Sequence, residues 1–197
     1  MIKIGITGGI GAGKTTVCKE LEKMGYPVFY SDDEAKNLMV ENAEVVKQIT
    51  ALFGEDAYID GQLNRVHLAK QIFTNNKLRE SLNQIVHPAV RRAFVEWSEA
   101  QDAELVFNEA AILFETGQYK TFDYTVLVTA PTSIRIDRVV KRDNTTPEEV
   151  QKRIDNQWSD EEKIKLSSFV IVNDGKREIL PQLDQIISQI KENISSE

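Results

Sequence analysis

The sequence predicts an α/β fold of three layers, in which helices cover both faces of a parallel sheet of five strands. Three observations support this prediction. Short apolar segments alternate with helical segments, a glycine-rich loop joins the first predicted strand to the first predicted helix, and helices without an intervening strand fill residues 35–100. Short runs of apolar and β-branched residues are typical of strands that are buried on both faces.

The glycine-rich loop runs from Gly8 to Thr15 and matches the pattern of Gly, four residues, Gly, Lys and Ser or Thr. It follows a predicted strand at Ile2–Ile6 and opens a predicted helix, a context that identifies a phosphate-binding loop, or P-loop. Its backbone amides can converge on phosphate oxygens at the positive end of the helix. Lys14 is expected to reach the outer phosphates and the Thr15 hydroxyl to bind Mg²⁺. The residues of this loop expected to bind ATP are Gly9, Gly11, Ala12, Gly13, Lys14, Thr15 and Thr16.

The next elements follow from capping and turn signals. Gly25 ends the first helix, Pro27–Tyr30 predicts a short second strand, and Ser31 or Asp32 is expected to cap the helix after it. The further expected elements up to residue 100 are a helical stretch at 35–53 with a break near Asn42, a loop at 54–61, a helix at 64–73 capped by Asn64, and a helical stretch at 77–99 that is interrupted or kinked at His87–Pro88.

Beyond residue 100 the apolar runs return. Thr146 is expected to cap a helix that has Pro147 at its first position and Glu149 three residues after the cap. The elements expected here are strands at 105–107, 124–128 and 169–172, helices at 133–142, 146–156 and 160–166, and a closing amphipathic helix with a stripe from Ile179 to Ile190.

These elements predict one P-loop domain over residues 1–197, with three functional regions. The nucleotide-binding core comprises 1–31, 102–143 and 168–197, the helical block occupies 32–101, and 144–167 forms a lid. The two lid helices are highly charged and carry few apolar residues, which is typical of a mobile segment. A lid of this kind excludes water from phosphoryl transfer.

The composition excludes several classes of protein. The formal net charge of -7 argues against a broad nucleic-acid-binding surface. Cys18 is the single cysteine, so an internal disulfide is excluded and a reducing compartment is expected. The chain begins directly with the strand and the P-loop and contains no apolar run of membrane-spanning length, so we expect no signal peptide, no membrane association and a cytoplasmic protein. No feature indicates an obligate protein partner.

Asp32 is the first candidate for chemistry outside the P-loop. It follows the second predicted strand, and open parallel sheets bind ligands at the carboxyl ends of their strands. A carboxylate there can accept a proton from an attacking hydroxyl or orient it through Mg²⁺. The alternative is that Asp32 and Asp33 only cap a helix, and both interpretations fit the spacing. Glu109 also follows a strand, where P-loop proteins often keep a Mg²⁺-linked acid.

A group of arginines is the second candidate. Guanidinium groups match phosphate oxygens and can neutralise a transferring phosphoryl group. The alternative is a solvated charged face. The group comprises Arg135, Arg138, Arg142 and Arg153.

The P-loop alone is shared by kinases, switch GTPases and motor ATPases. A guanine-reading Asn-Lys-x-Asp motif is absent, since Asn76-Lys77-Leu78 is followed by Arg79. The sequence also lacks an Asp-x-x-Gly switch motif. A GTPase switch is therefore disfavoured.

The chain resembles the dephospho-CoA kinase family over nearly its full length. The matching segments are Gly5-Ile6-Thr7 with the P-loop, Ser31-Asp32 with Ala35, Gly61-x-Leu63-Asn64-Arg65-x-x-Leu68, Leu82-x-x-Ile85-x-His87-Pro88, Ile112-Leu113-Phe114-Glu115, Arg138-x-x-x-Arg142-Asp143, Arg153-x-x-x-Gln157 and Val170-Ile171-Val172-Asn173-x-Gly175. In four respects the chain departs from the family pattern. Tyr30 stands where a first acid usually precedes Asp32, which places more weight on Asp32. The other departures are Lys36 where Arg is common, Ala111 in place of the usual Pro before Ile112, and Ser167-Ser168 in place of Ala-Asp before the last strand.

The resemblance implies transfer of the ATP γ-phosphoryl group to the ribose 3′-hydroxyl of dephospho-CoA, with Mg²⁺, to give coenzyme A and ADP. It implies catalytic roles for Asp32 at the acceptor hydroxyl, for Lys14, and for Arg142 at the ATP phosphates. The residues implied to bind the acceptor substrate are Thr7, Asp32, Arg65, His87 and Leu113, and those implied to bind ATP beside the P-loop are Arg142, Asn173 and Gly175.

Two other functions fit the P-loop. One is another small-molecule kinase of the same fold, for a nucleoside or a nucleoside monophosphate. The other is a nucleotide-dependent regulatory or binding protein without an acceptor. The segments around Arg65 and His87 disfavour the first, and the missing base-reading motif disfavours the GTPase form of the second.

Overall fold

The computed structural model describes residues 1–196. The chain divides into two compact units. The first unit comprises Met1–Phe29 and the described residues from Gln101 onward, and the second comprises Tyr30–Ala100. Among the described residues, none of the helices is both long and apolar enough to cross a membrane.

The strands form one large sheet and one small hairpin. In chain order they are β1 (Ile2–Gly8), β2 (Val28–Tyr30), β3 (Tyr58–Ile59), β4 (Gln62–Leu63), β5 (Leu105–Glu109), β6 (Tyr124–Thr129) and β7 (Phe169–Val172). The large sheet has the order β2-β5-β1-β6-β7, and β1 pairs in parallel with both β5 and β6. The prediction of a five-stranded parallel sheet is confirmed.

The helices lie close to their predicted positions. In chain order they are α1 (Lys14–Lys23), α2 (Ser31–Glu41), α3 (Ala43–Phe53), α4 (Arg65–Thr74), α5 (Asn76–Glu99), α6 (Thr132–Asp143), α7 (Pro147–Asp155), α8 (Asp160–Ile164) and α9 (Ile179–Ser195). The predicted caps at Asn64 and Thr146 are confirmed, since each side-chain oxygen accepts a backbone N–H in the first turn of its helix.

The core of the first unit is built by the central strands. Ile4, Ile6 and Phe107 are almost completely buried, as expected for strands covered on both faces. The α9 stripe packs inward through Leu183, Ile186, Ile187 and Ile190, so the prediction of an amphipathic closing helix is confirmed. Cys18 is also buried in α1, where burial is the main cause that raises its thiol pKa to about 12, and it is therefore a small apolar core residue.

The second unit has its own hydrophobic core, which joins α3, α4 and α5. The buried residues of this cluster are Val45, Ile49, Phe53, Ala57, Leu68 and Ala89. Each helix contributes one apolar face to this core, which gives the helical unit its own source of stability.

Three details differ from the sequence prediction. Residues 54–61 are not only loop, because they contain β3 and the Asp60–Gly61 turn of the β3–β4 hairpin. Helix α5 continues through Pro88 without the predicted interruption. Ser31 and Asp32 are not N-caps, because Tyr30 occupies the N-cap position and no side chain caps α2 there.

Candidate active site

The P-loop presents an uncapped helix N-terminus. Gly13 is the N-cap of α1 with φ of 95°, and no side chain forms a cap hydrogen bond. A Cβ at this position would collide with Nδ2 of Asn173, so the left-handed backbone and the close neighbour both require glycine. The start of α1 thus has no side-chain cap, and the positive end of the helix dipole favours an anionic ligand there.

Lys14 lies at the start of α1 and is largely buried. Its Nζ donates to the Gly8 carbonyl at 3.0 Å and lies 3.8 Å from Oε1 of Glu109. The side chains of Lys14 and Glu109 are only 14% and 12% exposed, which strengthens their attraction relative to a surface pair. Glu109 reaches this position because β5 pairs with β1 in parallel and both strands end at the same edge of the sheet.

Arg138 and Asn173 support the other side of the P-loop. Nη1 of Arg138 donates to the Gly11 and Ala12 carbonyls at 3.4 Å, and its Nη2 donates to the Asn173 carbonyl at 3.1 Å and to Oδ1 at 3.2 Å. Nδ2 of Asn173 donates to the Ala12 carbonyl at 2.9 Å. The structure therefore brings Asn173 against the P-loop, and it gives Arg138 the role of fixing loop carbonyls.

Arg135 is buried against the same loop. Its side chain is 6% exposed, and its Nε donates to the Ile10 carbonyl at 2.9 Å. A Cβ at Gly9 would collide with the guanidinium, so glycine provides the space that Arg135 occupies. The interpretation of the arginines as a solvated charged face is wrong for Arg135 and Arg138.

Arg142 and Arg153 converge on one carboxylate. Arg142 donates to Asp143 through Nε at 2.7 Å and Nη2 at 3.1 Å, and Nη1 of Arg153 donates to Asp143 at 3.0 Å. The hydrogen bond from Arg142 is the main cause that lowers the pKa of Asp143, and Arg153 adds to it. The Arg142 side chain is 62% exposed, so this guanidinium can rearrange toward a ligand at little cost.

Thr7 and Leu113 lie in the core of the first unit. Both are completely buried, the Thr7 hydroxyl donates to the Ala111 carbonyl at 3.4 Å, and Leu113 packs against Gly5. Their contact with an acceptor substrate stays a prediction. Gly175 adopts φ of 77° in the turn after Asn173, and its contact with ATP likewise stays a prediction.

The helical unit brings two of the predicted substrate residues together. Asp32 is exposed in the first turn of α2, and His87 lies on α5 close enough for the Asp32 charge to act on it. Burial is the main cause that lowers the pKa of His87, Arg91 adds to this effect, and Asp32 partly opposes it. Arg65 is the exposed first residue of α4.

Capping does not explain Asp32. The capping interpretation is wrong for this residue, because it lies one position inside the helix from Ser31 and two after the Tyr30 N-cap. Acidic side chains in a first turn still interact favourably with the helix dipole, an effect of less than about 1 kcal/mol at an exposed site. The charge of Asp32 therefore remains open to a functional use.

The residues at the P-loop fit a Mg²⁺ ion that is carried by a nucleotide. Thr15 presents an exposed hydroxyl in the first turn of α1, and hydroxyl and carboxylate oxygens are ligands that Mg²⁺ accepts. Residues 1–196 contain no group of three or more His, Cys, Asp or Glu side chains that would hold a metal by themselves. Any Mg²⁺ here would therefore take much of its coordination from phosphate and water, as is usual in kinase sites.

Sequence reasoning missed two contacts of this region. Oε1 of Gln157 accepts the Ile10 N–H at 2.9 Å, and Nζ of Lys163 pairs with Oε1 of Glu115 at 2.8 Å. Gln157 and Glu115 both lie in segments matched to the family, but nothing in their spacing indicates these partners. A fully buried lysine in a highly charged helix cannot be recognised from the local pattern, because its neighbours on α8 are exposed.

Comparison with known proteins gives one consistent result. The sequence profile of the dephospho-CoA kinase family matches residues 2–178. A dephospho-CoA kinase of Bacteroides fragilis is 41% identical over 194 residues, which cover 98% of this chain and 95% of that protein. The crystal structure of TT1252 from Thermus thermophilus is 39% identical with a TM-score of 0.85, and the alignment covers 95% of this chain and 97% of that one.

A more distant structure agrees in fold. The dephospho-CoA kinase from Campylobacter jejuni is 24% identical with a TM-score of 0.70, over 97% of this chain and 98% of that one. The family profile and the relatives extend over both units of the chain. The chain therefore belongs to the dephospho-CoA kinase family, the kinases of coenzyme A biosynthesis.

Proposed function

We propose that this kinase transfers the γ-phosphoryl group of ATP to the ribose 3′-hydroxyl of dephospho-CoA. The acceptor oxygen forms a bond to the γ-phosphorus, the bond from that phosphorus to the β,γ-bridging oxygen breaks, and ADP leaves. The observation that supports this proposal most directly is the uncapped start of α1, where the P-loop amides and Lys14 converge.

Lys14 supplies positive charge to the β- and γ-phosphates. In the structure its Nζ is held between the Gly8 carbonyl and the Glu109 carboxylate, so its position is fixed before any ligand binds. A preorganised cation stabilises the charge of the transition state without the cost of reorganisation. Lys14 therefore acts mainly on the rate of transfer.

Thr15 would hold Mg²⁺ through its hydroxyl, and Glu109 would supply carboxylate charge to the same site. Bound Mg²⁺ neutralises phosphate charge and orients the β- and γ-phosphoryl groups. Because Lys14 also contacts Glu109, the acid has a structural role on the protein side as well.

Asp32 accepts the proton of the 3′-hydroxyl or orients it for attack. Its exposed carboxylate is not used as a helix cap, and it follows β2 at the carboxyl end of the strand. A positioned acid–base group contributes about 10²- to 10⁴-fold to the rate of a reaction. Arg65 and His87, from the same helical unit as Asp32, contribute to binding of dephospho-CoA.

The Arg142 guanidinium first releases Asp143 and then binds the transferring phosphoryl group. Its fork of donors already makes two hydrogen bonds to a carboxylate, and a phosphate offers the same geometry with more charge. Residues 144–167 act as a lid that excludes water, so that ATP is not simply hydrolysed.

The experiment is a coupled ADP-release assay with dephospho-CoA, adenosine, AMP and phosphopantetheine as separate acceptors. We expect turnover with dephospho-CoA and a product that carries a new phosphate on the ribose 3′-oxygen, detected by ³¹P NMR. Lys14→Ala, checked for folding by circular dichroism, is the matched inactive enzyme. Turnover confined to adenosine or AMP, or a product phosphorylated elsewhere, would contradict the proposal.

A further inference from the structure

Both backbone polar groups of one P-loop residue, Ile10, are held by side chains from distant parts of the chain. The Ile10 N–H donates to Oε1 of Gln157 at 2.9 Å, and the Ile10 carbonyl accepts from Nε of Arg135 at 2.9 Å. These partners lie 147 and 125 positions further along the sequence. Two hydrogen bonds of good length on one residue restrict rotation of its backbone, so the Ile10 backbone has a defined orientation.

Arg135 is the fixed member of this arrangement. It is almost completely buried on α6, and its guanidinium fills the space left by the missing side chain of Gly9. Its Nη1 also lies 3.4 Å from Asp160, the first residue of α8. Burial on α6, outside α7 and α8, holds the Arg135 guanidinium against the loop.

Gln157 is the member that can change partners. It lies in the short segment between α7 and α8, and its backbone N–H donates to the Ile154 carbonyl at the end of α7. Its side chain is partly exposed, unlike that of Arg135. A displacement of α7 would therefore pull the Gln157 oxygen away from the Ile10 N–H while the bond from Arg135 persists.

We infer that Gln157 is a positioning residue that couples the α7–α8 lid segment to the conformation of the P-loop. When the Gln157 bond is formed, the peptide group that carries the Ile10 N–H has a fixed orientation. The backbone amides that follow it are then positioned for phosphate before ATP binds. When the bond is absent, the cost of ordering the loop reduces the net binding free energy of ATP. This inference rests on the proposed function in taking ATP as the nucleotide and residues 144–167 as a lid.

The expected effect is on nucleotide binding. Loss of one neutral hydrogen bond corresponds to about 3- to 10-fold in affinity. The Kd and the KM for ATP should rise by this factor, while kcat changes less, because the ordered loop is restored once ATP is bound.

The test compares Gln157→Met with Gln151→Met. Methionine keeps the length of the side chain and removes the accepting oxygen. Gln151 is a suitable control because its Nε2 donates to the exposed carboxylate of Asp155 on the same helix at 2.7 Å. The first measurement is hydrogen exchange of the Ile10 amide by ¹⁵N NMR in the protein without nucleotide, and the second is the Kd for Mg-ATP without acceptor.

We expect Gln157→Met to accelerate exchange of the Ile10 amide at least about 3-fold and to weaken Mg-ATP binding, with Gln151→Met close to wild type. Gln157→Glu keeps an accepting oxygen, so it should keep the Ile10 amide protected. Equal behaviour of the two methionine variants, or an unprotected amide in Gln157→Glu at an unchanged melting temperature, would overturn the inference.

This outcome is independent of the acceptor. Neither measurement contains dephospho-CoA, so a failure of the transfer assay leaves both readouts interpretable. If transfer to dephospho-CoA is observed while Gln157→Met matches Gln151→Met, the role of Gln157 alone is wrong.

Discussion

Lys163 of α8 and Glu115 of the segment after β5 form an ion pair of 2.8 Å in which the ammonium group is completely buried. The Glu115 side chain is only 17% exposed. This pair joins α8 to the segment that follows β5. Removal of one member of a buried pair costs far more than the pair contributes, because the remaining charge loses its neutralising partner.

Lys163→Met should therefore destabilise the protein by about 3 kcal/mol, measured by urea denaturation. The double variant Lys163→Met, Glu115→Gln should recover much of this loss, since no buried charge remains. If the double variant is as unstable as the single one, the loss comes from packing around the methionine and the interpretation as a charge effect is wrong.

Arg142 and Arg65 should affect different kinetic constants. Arg142→Ala should lower kcat by about 10²-fold or more, because its proposed partner is charge that develops on the transferring group. Arg65→Ala should mainly raise the KM for dephospho-CoA, because its proposed contact is with bound substrate.

Steady-state kinetics with each substrate varied in turn distinguishes these two roles. An unchanged kcat in Arg142→Ala would mean that this exposed arginine belongs to the solvent-facing surface. An equal increase of the KM for ATP and for dephospho-CoA in Arg65→Ala would mean that the helical unit does not recognise the acceptor through Arg65.

His87 should make the stability of the protein decrease as the pH falls. Burial and Arg91 hold its pKa below the ordinary value of 6.5 in the folded protein, in spite of the opposing charge of Asp32. The unfolded chain then binds the proton more readily than the folded one, so protonation favours unfolding. This loss begins as the pH falls through the unfolded value of 6.5 and levels off below the pKa of the folded protein.

Urea denaturation of wild type and His87→Asn at about pH 7.5 and about pH 5.5 tests this expectation. The urea midpoint of the wild type should decrease more between the two conditions than that of His87→Asn. If the variant is as sensitive to pH as the wild type, another group carries the effect.

Helices and strands could be predicted from the sequence where their hydrophobic period extends over several residues. The α9 stripe and the runs at β5 and β6 carry enough residues to show helical or strand character. The β3–β4 hairpin was missed because each strand has two residues, too few to show alternation. The Asp60-Gly61 pair is the sequence signal that indicates a hairpin turn here. In the structure these residues have positive φ angles of 50° and 75°.

The site was predictable in its local motif and not in its side-chain contacts. The P-loop residues are contiguous, so the sequence places them without knowledge of the fold. The contact of Arg135 with Ile10 depends instead on parallel pairing of β1 with β6, which brings α6 beside the loop. No local pattern contains this information, and a surface arginine and a buried one look alike in the sequence.

Asp32 carries the central chemical claim, because it is the residue proposed to act on the acceptor hydroxyl. Asp33 is a matched control from the same turn. Its carboxylate accepts from Nζ of Lys36 at 2.6 Å on the exposed face of α2, and on an ideal helix it projects about 100° away from Asp32. Asp32→Asn and Asp33→Asn remove the same charge from the same first turn, so their effects on the helix dipole should be similar.

The decisive measurement is kcat for phosphorylation of dephospho-CoA by these two variants, beside their melting temperatures and their Kd for Mg-ATP. We predict that Asp32→Asn retains its melting temperature and ATP binding and loses at least about 100-fold in kcat, while Asp33→Asn stays within about 2-fold of wild type. Near-normal turnover in Asp32→Asn, or an inactive Asp33→Asn enzyme, would contradict the proposed role of Asp32 at the acceptor hydroxyl.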